Sequence, residues 1–175
     1  ISVDLSIFRP QSPPNRMIAP FPQDDIATVM DVIGSHSKTP KRDAAIILLA
    51  FNSGLRCIDI RNLKLHNISW KKQELRIVQK KTGTPISAPL NGRTLNAIAE
   101  YILQERPKCE DVHVFLRAYP PYTAIKSTSP MDYVIDKYCR LASVEKIDYR
   151  SFHSLRRAFG TELAMAEVPV TSISQ

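Results

Sequence analysis

The sequence predicts a mainly helical α+β domain with a small three-stranded antiparallel sheet. Two observations lead to this fold class. Several long segments repeat apolar residues at the helical interval of three to four, and three short segments with strand-like patterns follow one another between two of these helices. The chain has 175 residues, of which 43% are hydrophobic and 23% are charged. It is therefore long enough to bury one core of ordinary globular composition.

The first predicted helix covers about residues 23 to 34, with the sequence QDDIATVMDVIG. Its first turn contains acidic residues, which the helix dipole stabilises there. Thr39 and Pro40 form an N-cap and first-turn pair for the second helix. Its segment AAIILLAF is apolar on nearly all sides, and Gly54 provides the C-terminal stop. We expect this helix at the centre of the core. The segment GLRCIDIRNL opens a further short helix.

The predicted strands are NISW, ELRIVQ and PISAPL, and a turn around KKTG joins the last two. The segment NGRTLNAIAEYILQE predicts an amphipathic helix, and VHVFL is interpreted as a short strand or a buried segment. Ser129, Pro130 and Asp132 begin a helix that runs to about Ala142. The segment SFHSLRRAFGTELA forms the next helix, and the final VTSISQ is expected to begin another.

The first 22 residues contain five prolines and little periodicity, which is typical of an extended linker or arm. We therefore expect a proline-rich arm at residues 1–22 and one domain at residues 23–175. Because the chain begins at Ile1 rather than Met, it is expected to be a fragment of a longer protein.

The chain carries 24 Lys and Arg against 17 Asp and Glu, a net charge of +7 and an isoelectric point near 9.5. This balance favours a polyanionic partner such as nucleic acid. Cys57, Cys109 and Cys139 form neither a disulfide framework nor a zinc-binding pattern. No apolar run approaches the roughly 18 residues of a membrane span. We expect reduced thiols, a cytoplasmic location, and no membrane partner, cofactor or metal.

The helix at residues 151 to 164 combines an apolar stripe with two basic side chains. The stripe consists of Phe152, Leu155, Phe159 and Leu163. Arg156 lies at its edge and His153 just beyond it, so Arg156 is predicted to be half-buried. A guanidinium at the margin of a core is costly unless an anion pairs with it. Either an internal carboxylate or a ligand is expected to supply that anion.

Cationic side chains occur at two further marked positions, Arg56 just after Gly54 and Lys81 at the hairpin tip. Together with His153 and Arg156 they could converge on one phosphate, since Arg offers paired donors, Lys can donate a proton and His exchanges one near neutral pH. Simpler interpretations are an ion pair between Arg56 and Asp59 at i,i+3, lysines that keep a hairpin tip soluble, and a surface histidine.

Three segments of the chain resemble motifs of the tyrosine recombinases, the phage and mobile-element integrases. GLRCIDIRNL is similar to their first arginine motif, QKKTGTPISAPL to their lysine-bearing hairpin, and HSLR to their His-x-x-Arg box. The order and spacing of the motifs agree over residues 23–175. The resemblance implies the recombinase catalytic-domain fold and double-stranded DNA as the partner.

The resemblance also implies residue roles. Arg56 and Arg156 would clamp the scissile phosphate, Lys81 would protonate the leaving 5′ oxygen and His153 would serve in proton exchange. Asp59 would match the acidic residue that supports the first arginine. The neighbouring residues expected to contact DNA are Lys80, Thr82 and Arg157. The choice of Lys81 over Lys80 as the catalytic lysine rests on the family pattern alone.

The family's tyrosine nucleophile lies after the His-x-x-Arg helix. Every tyrosine of this chain precedes His153, namely Tyr101, Tyr119, Tyr122, Tyr133, Tyr138 and Tyr149. The domain is therefore expected to be truncated before the nucleophile and to bind a phosphate without cutting it. In the complete protein, which would be bacterial or phage-encoded, the resemblance implies further subunits on DNA in a tetrameric synapse.

These observations predict the catalytic domain of a site-specific DNA recombinase that cleaves and rejoins DNA through a 3′-phosphotyrosyl intermediate. Three alternatives remain open at this point. The chain could belong to a catalytically inactive DNA-binding regulator, to a type IB topoisomerase-like enzyme, or to a metal-independent nuclease that uses His and Lys on RNA.

Overall fold

Helices make up most of the computed structural model, which describes residues 20–127, 129–144 and 151–165. The helices are α1 (Gln23–His36), α2 (Pro40–Ser53), α3 (Cys57–Arg61), α4 (Gly92–Glu100), α5 (Ser129–Leu141) and α6 (Phe152–Met165). The strands β1 (Ile68–Ser69), β2 (Glu74–Val78) and β3 (Pro85–Pro89) form one antiparallel sheet in the order β1-β2-β3. The predicted fold class is confirmed.

Helix α2 lies at the centre of the core, as its apolar sequence predicts. All residues from Ala45 to Phe51 are buried, and the helix contacts α1, α4, α5 and α6. Burial of each large aliphatic side chain contributes roughly 1.5–3 kcal/mol. The ends of α2 therefore occupy fixed positions relative to four other helices.

The N-terminus of α2 is capped differently from the prediction. Thr39 occupies the N-cap position, but its side chain makes no capping hydrogen bond and instead donates to Asp43 Oδ1 at 3.4 Å. The carboxylate of Glu105 accepts hydrogen bonds from the backbone N–H groups of Lys41 at 3.0 Å and Arg42 at 2.9 Å. A distant residue thus satisfies two N–H groups that every helix start leaves unpaired.

The predicted hairpin joins β2 to β3 through residues 79–84. Leu75 pairs with Ala88 and Ile77 with Ile86. Leu75 and Ile77 are buried, whereas the intervening Arg76 is exposed, so one face of β2 packs on the core. Strand β1 is shorter than the predicted NISW segment and contains only Ile68 and Ser69.

Two other segments refine the sequence prediction. The helix predicted in NGRTLNAIAEYILQE is α4 followed by one π-helical turn at Tyr101–Glu105. The VHVFL segment is buried in its second half, because Val114, Phe115 and Leu116 are each 0% exposed whereas Val112 is 50% exposed, and only isolated bridges occur there. The rings of Tyr101 and Phe115 stack with centroids 5.6 Å apart.

The predicted arm contributes at least one residue to the core, because Phe21 is 3% exposed. Residues 1–19, Tyr149 and the terminal VTSISQ segment lie outside the described residues. Within the described ranges, we find no helix with the length and apolar character needed to cross a bilayer.

Candidate active site

The candidate site lies at the C-terminal end of α2. Gly54 ends this helix in the left-handed conformation, with φ of 59°, and its N–H donates to the Ala50 carbonyl at 3.2 Å. Arg56 is the N-cap of α3, and its carbonyl accepts from the N–H groups of Asp59 at 2.9 Å and Ile60 at 3.1 Å. The backbone of Arg56 is therefore fixed between two helices, and its side chain is half-buried.

Helix α6 brings Arg156 to the same point. The apolar stripe of α6 faces the core, with Phe152 and Leu155 buried, and the helix packs against α2. Arg156 is half-buried, as predicted, and its Nη1 donates a hydrogen bond to the carbonyl oxygen of Gly54. A Cβ atom on Gly54 would overlap the ring of Phe159, so the close approach of α6 requires glycine there.

Arg56 and Arg156 form a region of positive charge in which each guanidinium is held by a neutral oxygen. Burial lowers the pKa of Arg156, the charge of Arg56 lowers it further, and Asp59 acts in the opposite direction. The Arg56 Nη1 donates to the amide oxygen of Gln79 at 2.8 Å, so the two guanidiniums are held by neutral oxygen acceptors. Neither arginine forms an ion pair with a carboxylate in the described part of the chain. A bound anion would relieve this repulsion.

His153 lies in the first turn of α6 and is exposed. Partial removal of water from its ring lowers its pKa, and the charges of Arg157, Arg156 and Arg56 lower it further, whereas Asp132 raises it. The lowered pKa favours the neutral form of the ring. A neutral imidazole beside two arginines can exchange a proton with a group bound between them.

The loop between β2 and β3 is attached to this cluster at two positions. The N–H of Lys80 donates to Asp59 Oδ1 at 2.8 Å, and the amide oxygen of Gln79, at the start of the loop, accepts from Arg56 Nη1 at 2.8 Å. Within the loop, the Thr82 hydroxyl donates to the same amide oxygen at 2.9 Å. Lys81 lies between Lys80 and Thr82 and is exposed, as is Lys80. The structure thus brings the loop of both lysines to Arg56, and the preference for Lys81 stays a prediction.

Asp59 does not form the ion pair with Arg56 that we considered from its sequence spacing. The carboxylate is 3% exposed and bonds the loop through Oδ1. Its Oδ2 atom is buried without a hydrogen-bond partner among the described residues. Asp59 therefore holds the loop in place and favours the charged form of Arg156, because its charge raises the pKa of that guanidinium.

Gln79 is the site residue that sequence reasoning missed. It is 3% exposed and contacts Arg56 and Thr82. A signal for it exists, because the period-two alternation of β2 places Gln79 on the same side as the buried Leu75 and Ile77. A polar residue at the inward position of a strand needs a hydrogen-bond partner, and here that partner is the first arginine.

Cys57, next to Arg56, has no features of a nucleophile. Burial raises its pKa to about 12, with a further contribution from the charge of Asp132, so the thiol remains protonated at neutral pH. Within residues 20–127, 129–144 and 151–165, no three side chains of His, Cys, Asp or Glu are grouped so that they could hold a metal ion.

Two curated relatives from Sinorhizobium fredii resemble this chain in sequence, and both are named as integrase/recombinase proteins. The protein y4gC is 33% identical over 155 residues, which cover 87% of this chain and 79% of the relative. The protein y4rF is 30% identical over 174 residues, which cover 98% of this chain but only 41% of the relative.

Solved structures share the fold. The XerA recombinase has a TM-score of 0.75 at 17% identity, with 95% of this chain and 56% of that chain covered. The XerH site-specific recombinase bound to its difH substrate has a TM-score of 0.74 at 13% identity, with coverage of 89% and 46%. The chain thus spans about half the length of these two proteins. A sequence model of the phage integrase family matches residues 20–175, so the chain belongs to the phage integrase family.

Proposed function

We propose that this chain is the catalytic domain of a site-specific tyrosine recombinase, which breaks and rejoins DNA strands. The observation that carries the proposal is the pair of half-buried arginines, of which Arg56 is held by the Gln79 amide oxygen and Arg156 by the Gly54 carbonyl, both neutral acceptors. A phosphodiester has the charge and the spread of oxygen atoms that two guanidiniums bind well. The membership of the phage integrase family supports the same assignment.

In the proposed reaction, a tyrosine of the complete protein attacks the phosphorus atom held by Arg56 and Arg156. A bond forms between the tyrosine oxygen and phosphorus, the bond from phosphorus to the 5′ oxygen breaks, and Lys81 gives a proton to that leaving oxygen. Rejoining is the reverse, with a 5′ hydroxyl as the attacking group. The phosphotyrosyl bond conserves the energy of the phosphodiester, so no cofactor is needed.

Each arginine contributes most where negative charge develops on the phosphate oxygens. By analogy with oxyanion-hole donors, one such preorganised cation lowers the barrier by about 3 to 4 kcal/mol. His153 exchanges the proton of the attacking group, since its lowered pKa favours the neutral ring that can accept a proton. With two guanidiniums and a lysine, the proposed site obtains its positive charge from side chains.

The proposed partner is double-stranded DNA, contacted by Lys80, Thr82 and Arg157 around the scissile phosphate. Solved relatives support this, since the XerH structure contains its difH substrate and a lambda integrase dimer is bound to a COC′ core site. We also propose that several subunits act together on DNA in the bacterial cytoplasm. The net charge of +7 favours DNA as the partner.

Trapping of the covalent intermediate tests the proposal. The full-length gene product is incubated with a nicked duplex that contains its own recombination site, and protein joined to DNA is measured on a denaturing gel. We expect an adduct that Arg56→Ala and Arg156→Ala each reduce by at least about 100-fold. Arg140→Ala, which removes an exposed arginine paired with Asp136, serves as the charge-matched control and should leave the adduct unchanged.

Two results would contradict the proposed function. Specific DNA binding without any adduct would identify a catalytically inactive regulator. Adduct formation on DNA of any sequence, with relaxation of supercoils, would identify a topoisomerase-like enzyme.

A further inference from the structure

The side chain of Gln79 connects Arg56 to the loop that carries Lys81. Its amide oxygen accepts one hydrogen bond from Arg56 Nη1 at 2.8 Å and another from the Thr82 hydroxyl at 2.9 Å. We propose that Gln79 is a positioning residue, whose neutral amide fixes the guanidinium of Arg56 for phosphate binding without neutralising its charge. This inference rests on the proposed function and adds to it a residue that touches no reacting atom.

Burial makes the position of Gln79 well defined. The residue is 3% exposed and immediately follows β2. Its backbone N–H donates to the Thr84 carbonyl, and its carbonyl accepts from the Gly83 N–H, both at 2.9 Å. A buried side chain on a rigid hairpin has few alternative rotamers. Gln79 therefore presents its oxygen to Arg56 at a fixed point.

A second connection makes the arrangement cooperative. The N–H of Lys80 donates to Asp59 Oδ1 at 2.8 Å, and Asp59 lies one helical turn after Arg56. The loop thus contacts both residues of one turn, once through a side chain of the loop and once through its backbone. Displacement of the loop would break both contacts, so the orientation of Arg56 and the placement of Lys81 depend on each other.

The neutral amide has a specific advantage over a carboxylate. A glutamate at this position would accept the same hydrogen bonds, but it would form a salt bridge with Arg56 and offset the charge intended for the phosphate. Arg156 is held by the same type of acceptor, the Gly54 carbonyl. Both arginines are therefore oriented by neutral oxygens, which leaves their charge available to a ligand.

The first measurement observes Arg56 directly and does not depend on activity. In nitrogen-15 NMR spectra of the full-length protein, a hydrogen-bonded Nη group gives a distinct resonance, whereas a freely rotating guanidinium gives an averaged one. Arg56→Lys assigns the signal. We expect the distinct resonance in the wild type and in Gln79→Glu, and its loss in Gln79→Ala. Thr94→Val is the control, because Thr94 is a buried side chain whose hydroxyl accepts a hydrogen bond from Asn52 rather than from Arg56.

The second measurement is the rate of adduct formation at saturating DNA. We expect Gln79→Ala to lower this rate by about 10- to 100-fold, because a misoriented catalytic group costs that much, while the apparent Kd for DNA changes less than about threefold. Gln79→Glu should also be slow, because its carboxylate pairs with Arg56. Thr94→Val should react at the wild-type rate, which would show that loss of a buried hydrogen bond is not sufficient.

A substrate with sulfur in place of the leaving 5′ oxygen identifies the residue through which Gln79 acts. A thiolate leaves without a proton, because thiols ionise near pH 8.5. This substrate should restore the rate of Lys81→Ala, whose defect is in proton donation. It should not fully restore Gln79→Ala, whose defect includes the arginine that binds the phosphate.

Three results would overturn the inference: a distinct Arg56 resonance that persists in Gln79→Ala, a wild-type adduct rate in Gln79→Ala or Gln79→Glu, and full rescue of Gln79→Ala by the sulfur substrate. Failure of the proposed function is distinguishable, because the wild type itself would then form no adduct. The NMR comparison would still decide whether Gln79 holds Arg56.

Discussion

At the scale of single residues, the site combines predictable side chains with partners that local sequence does not reveal. The half-burial of Arg156 follows from its place at the edge of an apolar stripe. Its acceptor, the Gly54 carbonyl, lies 102 positions away in the chain. Gln79 and Arg56 are likewise 23 positions apart. Periodicity gives the face on which a residue lies, but long-range partners depend on how the helices pack.

We predict that His153 titrates below pH 6.5, the usual value for histidine, because of desolvation and the nearby arginines. Folding then favours the neutral ring, so its contribution to stability is complete above pH 6.5 and is lost as the pH falls through the lowered pKa. Arg157→Gln should raise the pKa towards 6.5 in an NMR titration. The electrostatic assignment would be contradicted if Arg157→Gln left the His153 pKa unchanged, or if it changed this pKa no more than Arg140→Gln does.

At the scale of elements, α2 connects the core to the site. Its apolar composition, its start near Pro40 and its stop at Gly54 could be predicted from sequence and agree with the structure. The cap from Glu105 could not, because it depends on the π-helical turn at Tyr101–Glu105 reaching the start of α2. Local preferences identify the ends of a helix, while tertiary contacts decide which group satisfies them.

Removal of the Glu105 carboxylate should destabilise the fold. Glu105→Ala leaves the N–H groups of Lys41 and Arg42 without their acceptor, and we expect the free energy of unfolding to fall by about 1 to 2 kcal/mol. Chemical denaturation measures this change. The control is Glu110→Ala, which removes an exposed glutamate five residues further along the chain. An equal effect of both substitutions would refute the capping role.

Glycine is required at position 54 but not at position 34. Gly54→Ala combines a left-handed backbone with overlap against Phe159, so we expect a loss of about 2 kcal/mol in unfolding free energy. Gly34 lies within α1, and an added Cβ would meet nothing within 4 Å. Gly34→Ala should therefore stabilise by roughly 0.5 to 1 kcal/mol. Equal denaturation midpoints for the two variants would contradict this account.

At the scale of the whole molecule, the excess of basic residues and the concentration of cations at the end of α2 favour a polyanion. The net charge of +7 is read directly from the sequence, and three separated motifs predicted that their cations converge. The structure brings Arg156 to Gly54, two residues before Arg56, and His153 lies one turn before Arg156 on the same helix. The strand lengths and the buried 114–116 segment were less predictable, because short apolar runs fit several structures.

DNA binding should depend steeply on salt. If about five cations neutralise phosphates, the logarithm of the association constant falls with the logarithm of salt concentration with a slope of about −4.5. Lys80→Ala should reduce the magnitude of this slope by about 1, and Arg140→Ala should not change it. Titrations at several salt concentrations provide the measurement. A slope near zero would indicate a partner other than the phosphate backbone.

The most direct test of the central claim, that Arg56 and Arg156 bind one phosphate, is a thermodynamic cycle on DNA affinity. The scissile phosphate, located from the position of the adduct, is replaced by a neutral methylphosphonate, and the Kd of both duplexes is measured for the wild type, Arg56→Ala and Arg156→Ala. We predict that the neutral group weakens binding by the wild type at least about tenfold more than binding by either variant. An equal loss for all three proteins would show that the arginines do not contact this phosphate.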